Sequence, residues 1–363
     1  MDYANLISGG HPQALPEDRP LMNSRVLGMV NFGPVFQKPV LEEGSPFLSL
    51  RMTSADEKGF VEQWTAGPAQ ASVSGDLVYA HDGEYLFCAA EIPASERCRN
   101  LTRETYLAAF ELMDELGYPR LFRMWNYIPR INEDNADGLE IYRDFCAGRS
   151  EAFELYGRRR HLPMPAATGI GAQGGNIAFF FLSCRSGRVT FLENPRQMPA
   201  YTYPRQYGPR SPSFARATCV QHDALGVLNL YISGTASIIG HETVHRSDLM
   251  RQCDVTLENI SLLIGRDNLI RHGIETPADL TLRDVDFIKV YVRHAEDIPA
   301  VRRRCREAFA PHANIQFLNA DICRSDLLVE IEGIITVPLR ADGTQDGAGL
   351  KPRWLVHEET SDQ

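Results

Sequence analysis

Apolar and polar positions along the chain alternate between two periods, and each switch marks an element. EYLFCAAEI (84–92) is a short, mostly apolar run of the kind that forms a strand. TRETYLAAFELMDELG (102–117) spaces its apolar residues three and four apart, which predicts an amphipathic helix capped by Thr102 and stopped by Gly117. A strand over RLFRMWNYI (120–128), a helix over GLEIYRDFCAGRSEAFELY (138–156) and a strand over NIAFFFLSC (176–184) follow. The order then recurs. VLNLYISGT (227–235) reads as a strand, and Ser247 or Asp248 opens a helix through MRQCDVTLENISLLIGRDN. DFIKVYVRH (286–294) is a strand and DIPAVRRRCREAFA (297–310) a helix. IQFLNADIC and DLLVEIEGIITV read as a final hairpin around an Arg-Ser-Asp turn.

Both halves therefore give strand, helix, strand, helix and a closing strand pair, at an offset of about one domain. This predicts an α+β protein of two similarly folded units, 1–195 and 196–363, meeting in the loop ENPRQMPAY near residue 195. Identity between the halves is slight, so the repeat is one of pattern. The first twenty residues and the segment after Pro338 are polar and rich in Gly and Pro, and are expected to be surface straps.

Composition narrows the class. With 363 residues, 44% hydrophobic and 23% charged, the chain is that of a globular protein with a sizeable core. A net charge of −10 and no basic block argue against nucleic-acid binding, although a few local arginines can still hold an anion. No apolar run approaches the roughly 18–20 residues that span a bilayer, and the first residues lack a secretory pattern, so a cytoplasmic location without membrane partners is expected. The eight cysteines never form a Cys-x-x-Cys pair, which speaks against a structural zinc site, and disulfides are not expected.

Four stretches carry candidate chemistry. His241-Glu242-Thr243-Val244-His245 fits the zinc-protease pattern, but that chemistry needs both histidines on one helix face. Here the residues follow a strand and Gly240 and precede the helix signals, so a loop without metal is expected. YTYPRQYGPRSPSFARA (201–217) reads either as a solvated connection or as a stiff binding wall. In the second case Tyr203 and Tyr207 offer hydroxyls, and Arg210 and Arg216 can clasp carboxylates. Gly234, Thr235 and Ala236, at the end of a strand, mark either a bulge or a place where a ligand approaches the backbone. In DLLVEIEG, alternation puts Glu330 and Glu332 on one face. An exposed sheet edge is the expectation, and a cavity with a raised pKa is the alternative. Cys323 reads alone as a small buried hydrophobe, Trp125 as a packing residue and Arg149 as a surface residue within reach of an interdomain cleft.

Taken together and in order, YGPRSPSFARA (207–217), YISGTASIIGHETVH (231–245), TLENI (256–260), ADICRSDLLVEIEG (320–333), FRMWNYIPRIN and YRDFCAGR resemble the chorismatase family over residues 25 to 337. The C-terminal half is similar to the small YjgF-like enamine/imine deaminases. The resemblance implies two YjgF-like units, each a mixed sheet with helices on one face, the second carrying most of the active site. It implies chorismate as substrate, no metal or organic cofactor, Glu330 as acid/base and Cys323 as the mark of the branch that forms 3-hydroxybenzoate, or 4-hydroxybenzoate, plus pyruvate. It further implies substrate contacts from Tyr203, Tyr207, Arg210, Arg216, Gly234, Thr235 and Ala236. The alternatives are hydrolysis to a dihydroxycyclohexadiene carboxylate and a non-catalytic binder of small acids. Small relatives of this fold form trimers, but two fused units can supply both walls of a pocket within one chain. The deaminases' carboxylate-binding arginine has no counterpart in NIQFLNADI, which argues against imine deamination.

Overall fold

The computed structural model describes residues 25–54, 59–160, 163–339 and 350–356. The chain opens with β1 (Val26–Gly33), β2 (Gln37–Glu42), β3 (Ser45–Arg51), the short β4 (Thr53–Ser54) and β5 (Phe60–Thr65). A first α+β unit follows as β6 (Gln70–Ser74), β7 (Leu77–His81), β8 (Tyr85–Ile92), α1 (Arg99–Glu115), β9 (Arg120–Pro129), α2 (Ile141–Arg160), β10 (Ala166–Ala172) and β11 (Ile177–Cys184). The second begins with β12 (Arg188–Leu192), β13 (Ala217–His222), β14 (Val227–Ala236) and a small hairpin, β15 (Ile238–Ile239) and β16 (Glu242–Thr243). It continues through α3 (Leu249–Ile264), α4 (Arg266–Arg271), β17 (Phe287–Val292), α5 (Ile298–Ala308), β18 (Asn314–Asn319) and β19 (Val329–Pro338). A last strand, β20 (Lys351–Val356), pairs with β5.

The repeat foreseen from the pattern is present as topology. One sheet runs β10-β9-β11-β8-β7-β6 and the other β12-β13-β14-β19-β17-β18-β4. In each, three antiparallel strands lead into a helix and a parallel pair (β9 with β10, β17 with β18). The last strand of each unit then inserts between the two parts, antiparallel to both neighbours. That insertion corrects the expected final hairpin: β18 and β19 are separated by β17, so residues 320–328 cross the end of β17 instead of turning tightly.

Other expectations shift for local reasons. Helix α1 begins at Arg99 rather than beside Thr102, because Asp144 of α2 accepts from the backbone N–H groups of Cys98 (2.8 Å) and Arg99 (3.2 Å). A side chain from another helix satisfies the first-turn donors that sequence reasoning gave to a local cap. Thr102 is buried inside the helix, and Gly117, at φ +78°, ends it as expected. Asp248 caps α3 through the N–H of Arg251. The segment after Pro338 is more than a strap: β20 closes a five-stranded sheet, β2-β3-β1-β5-β20.

Three apolar clusters hold the layers. Tyr106, Phe110 and Phe153 of α1 and α2 pack on the first sheet with Met124, Phe179 and Phe181. Cys253, Leu257, Ile260 and Val301 of α3 and α5 pack on the second with Leu230, Val290 and Ile331. A third cluster joins the sheets' other faces to the five-stranded layer through Phe32, Phe60, Trp64, Trp125, Phe180, Tyr231 and Tyr291. The two units also meet through backbone: Gly171 N–H donates to Asp321 O (2.8 Å) and Ala215 N–H to Pro165 O (3.0 Å). Among the described residues, no helix is long and apolar enough to cross a membrane.

Candidate active site

Strand β19 is interior to its sheet, and its two carboxylates are buried: Glu330 is 4% and Glu332 3% exposed. The exposed-edge expectation for Glu330 is thus corrected. Alternation placed both acids on one face, but only the partner strands decide whether that face meets water. Opposite Glu330, the pairing of β14 with β19 slips between Ile232 and Thr235. Gly234 lies in that slip, and a Cβ there would come 1.9 Å from Glu330 Oε1. The glycine is therefore required by the carboxyl that fills its missing side chain.

The two acids have opposite surroundings. Glu332 accepts from Arg123 Nη2 (2.7 Å), Trp125 Nε1 (2.9 Å) and the Thr168 hydroxyl, and pairs with Lys289 Nζ (2.9 Å). Lys289 also binds Glu62 of β5 at 2.6 Å, so two acids and two bases share one buried cluster. Burial pushes Glu332 up, but Lys289 and Arg123 outweigh it and hold the carboxyl below its ordinary range. Glu330 has no such pairing. Burial, reinforced by the charge on Glu332, raises it to about 8, against the pull of Arg123, Arg216 and a hydrogen bond from Cys323. The Cys323 Sγ lies 3.9 Å from Glu330 Oε2. Burial and the neighbouring carboxylate push this thiol well up, so it is an S–H group.

Glu330 and Cys323 line a cavity of about 370 Å³ between the two units. One wall is Asn126, Tyr142, Arg143, Arg149, Thr168 and Gly169, and the other is Tyr203, Tyr207, Phe214, Arg216, Gly234, Ala236 and Arg324. Five arginines line it in all. Arg143 pairs with Glu140 (3.1 Å) and Arg246 with Asp326 (3.1 Å). Arg149, Arg216 and Arg324 form no ion pair among the described residues. The Nε donors of Arg149 and Arg216 are buried without a hydrogen-bond partner. A chain of net charge −10 thus presents three unpaired guanidinium groups at one cavity, a lining suited to an anion of low multiplicity.

Most of the expected residues converge here. Tyr203 accepts from Arg216 Nη2 (2.7 Å), and Tyr207 meets His241 Nδ1 (3.1 Å). Two expected residues stand apart. Arg210 points away from the cavity and is paired with Glu154 of α2 at 2.5 Å. Thr235 is buried beside it, its hydroxyl donating to Ser233 O. Arg149, expected on the surface, is 4% exposed and donates to Ser213 O. Trp125 is a packing residue as expected, and it also donates to Glu332.

Sequence reading missed the groups that hold the 320–328 crossing in place. Arg293 donates to the carbonyls of Leu327 (2.7 Å), Ile322 (3.2 Å) and Arg324 (2.8 Å), and pairs with Asp321 (2.5 Å). Gln252 donates to Asp326 O (2.9 Å) and accepts from Leu328 N–H (2.8 Å). These bonds orient Cys323 and Arg324, and Arg324 stacks 4.0 Å over the Tyr207 ring. The only sequence signal for Arg324 was its place beside Cys323. His241–His245 runs through the β15–β16 hairpin and a turn in which His245 has φ +55°, so its histidines share no helix face. His241 holds Tyr207 by its ring and Arg324 by its carbonyl (2.9 Å).

Residues 62–183 match the family model described as chorismatase FkbO/Hyg5-like, N-terminal. A 3-hydroxybenzoate synthase of Streptomyces hygroscopicus is 51% identical over 87% of this chain and 93% of its own. A chorismatase of Streptomyces rapamycinicus is 46% identical over 81% of this chain and 88% of its own. A crystal structure of a chorismatase superimposes with a TM-score of 0.82 at 41% identity, covering 88% of this chain and 96% of that one. With relatives this similar over most of its length, the chain belongs to the chorismatase FkbO/Hyg5-like family.

Proposed function

We propose that this protein converts chorismate to 3-hydroxybenzoate and pyruvate, with Glu330 as acid and base and Cys323 directing the ring to the aromatic product. The observation that carries the reading is a carboxyl with a pKa of about 8 in a cavity with three unpaired arginines. At pH 7 such a group is roughly nine-tenths protonated. It can therefore give its proton to the terminal methylene of the enolpyruvyl ether. The resulting oxocarbenium ion weakens the ring C–O bond, and pyruvate leaves as the neighbouring hydroxyl closes onto the vacated carbon as an epoxide, its proton passing to the Glu330 carboxylate. Return of that proton to the epoxide oxygen opens the bond to the carbon that first bore the hydroxyl, and loss of the hydrogen from the carbon that keeps the oxygen to the Glu330 carboxylate aromatises the ring and restores the acid. Chorismate then equals hydroxybenzoate plus pyruvate, with no water consumed.

Chorismate carries two carboxylates, and Arg149, Arg216 and Arg324 with the Tyr203 and Tyr207 hydroxyls offer their partners. The neutral thiol of Cys323, beside the acid, occupies space that a water would need for hydrolysis. Residues of both units of this chain line the cavity.

The test is to mix purified protein with chorismate and to follow pyruvate release and aromatic absorbance together. Equal yields of pyruvate and 3-hydroxybenzoate are expected; no pyruvate would sink the reading, and pyruvate without an aromatic product would move the protein to the hydrolytic branch. Cys323→Ala is expected to keep releasing pyruvate while part of the product becomes the dihydrodiol. An unchanged product profile removes Cys323 from the mechanism.

A further inference from the structure

Away from the cavity, three groups that could ligate a metal meet where the two units adjoin. Glu84 precedes β8, Cys184 ends β11 and His222 ends β13. Their ligand atoms all lie within 4.8 Å of one another. Cys184 is fully buried and His222 is 5% exposed. His222 Nδ1 stands 3.7 Å from Glu84 Oε1, while its Nε2 is buried and has no hydrogen-bond partner in the protein. Nδ1 is the nitrogen beside Glu84, in position to ligate an ion that the cluster holds, while the unmet Nε2 costs about 1–3 kcal/mol by itself. From the geometry we propose that Glu84, Cys184 and His222 form a zinc(II) site that ties the first unit to the second.

The donor set suits that ion. Thiolate, imidazole and carboxylate are the three ligand types zinc takes, and a water completes a tetrahedron. Zinc(II) with one thiolate and one carboxylate is neutral overall, which a buried site requires. Binding releases the Cys184 thiol proton to solvent and oxidises nothing. The carboxylate is already oriented, since Ser186 donates to it from its N–H (2.9 Å) and its hydroxyl (2.8 Å). Gly187 lets the loop pass over the imidazole, because a Cβ there would lie 2.6 Å from His222 Cε1.

The site is remote from the reaction. His222 pairs with Val227, at the opposite end of β14 from Ala236, which faces Glu330. That strand spans on the order of 30 Å. The role is therefore a stitch between sheets: Glu84 and Cys184 belong to the first unit and His222 to the second.

The experiment uses the whole chain, stripped with a chelator and titrated with cobalt(II) and then zinc(II). One equivalent of cobalt is expected to bind with a thiolate-to-metal charge-transfer band that zinc abolishes, and zinc is expected to raise the melting temperature. Cys184→Ser and His222→Ala should lose the band and the zinc-dependent shift. Glu84→Gln, at a partly exposed position, should weaken both while folding normally, so a misfolded cysteine or histidine variant does not end the test. No band and no shift in the unmodified protein overturns the proposal. So does binding that survives all three substitutions, which would place the metal on other cysteines or histidines.

Discussion

Replacing Glu330 with glutamine should abolish turnover and, at alkaline pH, make the protein more stable. In the folded wild-type chain this carboxyl stays protonated to about 8, whereas an ordinary glutamate ionises near 4.5. Below pH 4.5 both states hold the proton and the group has no effect on stability. From there to pH 8 the unfolded chain has lost a proton that the native state still binds, so stability falls by RT ln 10 for each pH unit. Above pH 8 both states are ionised and the cost levels off, at a ceiling on the order of 5 kcal/mol. Water entry and small shifts of β14 reduce it. Glutamine keeps the shape and carries none of this cost. The stability gap between the variant and wild type should therefore open between about pH 5 and 8 and stay constant beyond. Urea denaturation at a series of pH values, followed by the fluorescence of the buried Trp64 and Trp125, measures it. A gap that does not change with pH would refute the raised pKa, and near-normal pyruvate release would refute the role of Glu330 as acid.

Other outcomes follow from the same geometry. As the acid form is titrated away, kcat/KM should fall about tenfold per pH unit above about pH 8; a flat alkaline profile contradicts this. Gly234→Ala puts a Cβ 1.9 Å from the position of Glu330 Oε1, and the displaced carboxyl should cost about a hundredfold in kcat/KM, while circular dichroism shows the fold retained. His241→Ala frees Tyr207 and is expected to raise KM about fivefold with a smaller change in kcat, whereas His241→Asn, keeping an acceptor, recovers part of the loss. Lys289→Met leaves Glu62 and Glu332 facing each other without their shared cation, and should lower the unfolding free energy by about 3–5 kcal/mol in chemical denaturation.

Much of the fold was legible because it rests on local pattern. The strands at 84–92, 120–128 and 176–184 and their later counterparts matched their period, and the repeat of topology followed from their order. What local pattern missed depends on distant partners. Asp144 caps a helix more than forty residues earlier, so Thr102 looked like the cap. Strand β20 reaches β5 across nearly the whole chain, and its register gives no signal of its own. Arg293, at the end of a predicted strand, gathers the carbonyls of a segment about thirty residues later.

The two metal-like patterns make the same point from opposite sides. His241-Glu242-Thr243-Val244-His245 has the spacing of a zinc motif but lies in a hairpin and a turn, where that spacing does not bring its histidines together. Glu84, Cys184 and His222 have no spacing to notice, and meet because three strand ends adjoin.

By itself the sequence determined the α+β class, the tandem pattern and the family resemblance, and only through that resemblance pointed to Glu330 and Cys323. The class and the tandem pattern are properties of periodicity and of the order of elements along the chain. Tertiary structure decided which of two carboxylates on one strand face keeps its proton. Glu332 is surrounded by Arg123, Trp125, Thr168 and Lys289, brought from both units, and stays ionised. Glu330, two residues away, is packed against a glycine and a thiol and keeps its proton. Alternation sets the face on which a side chain lies, but its charge depends on solvation and neighbours that only folding assembles.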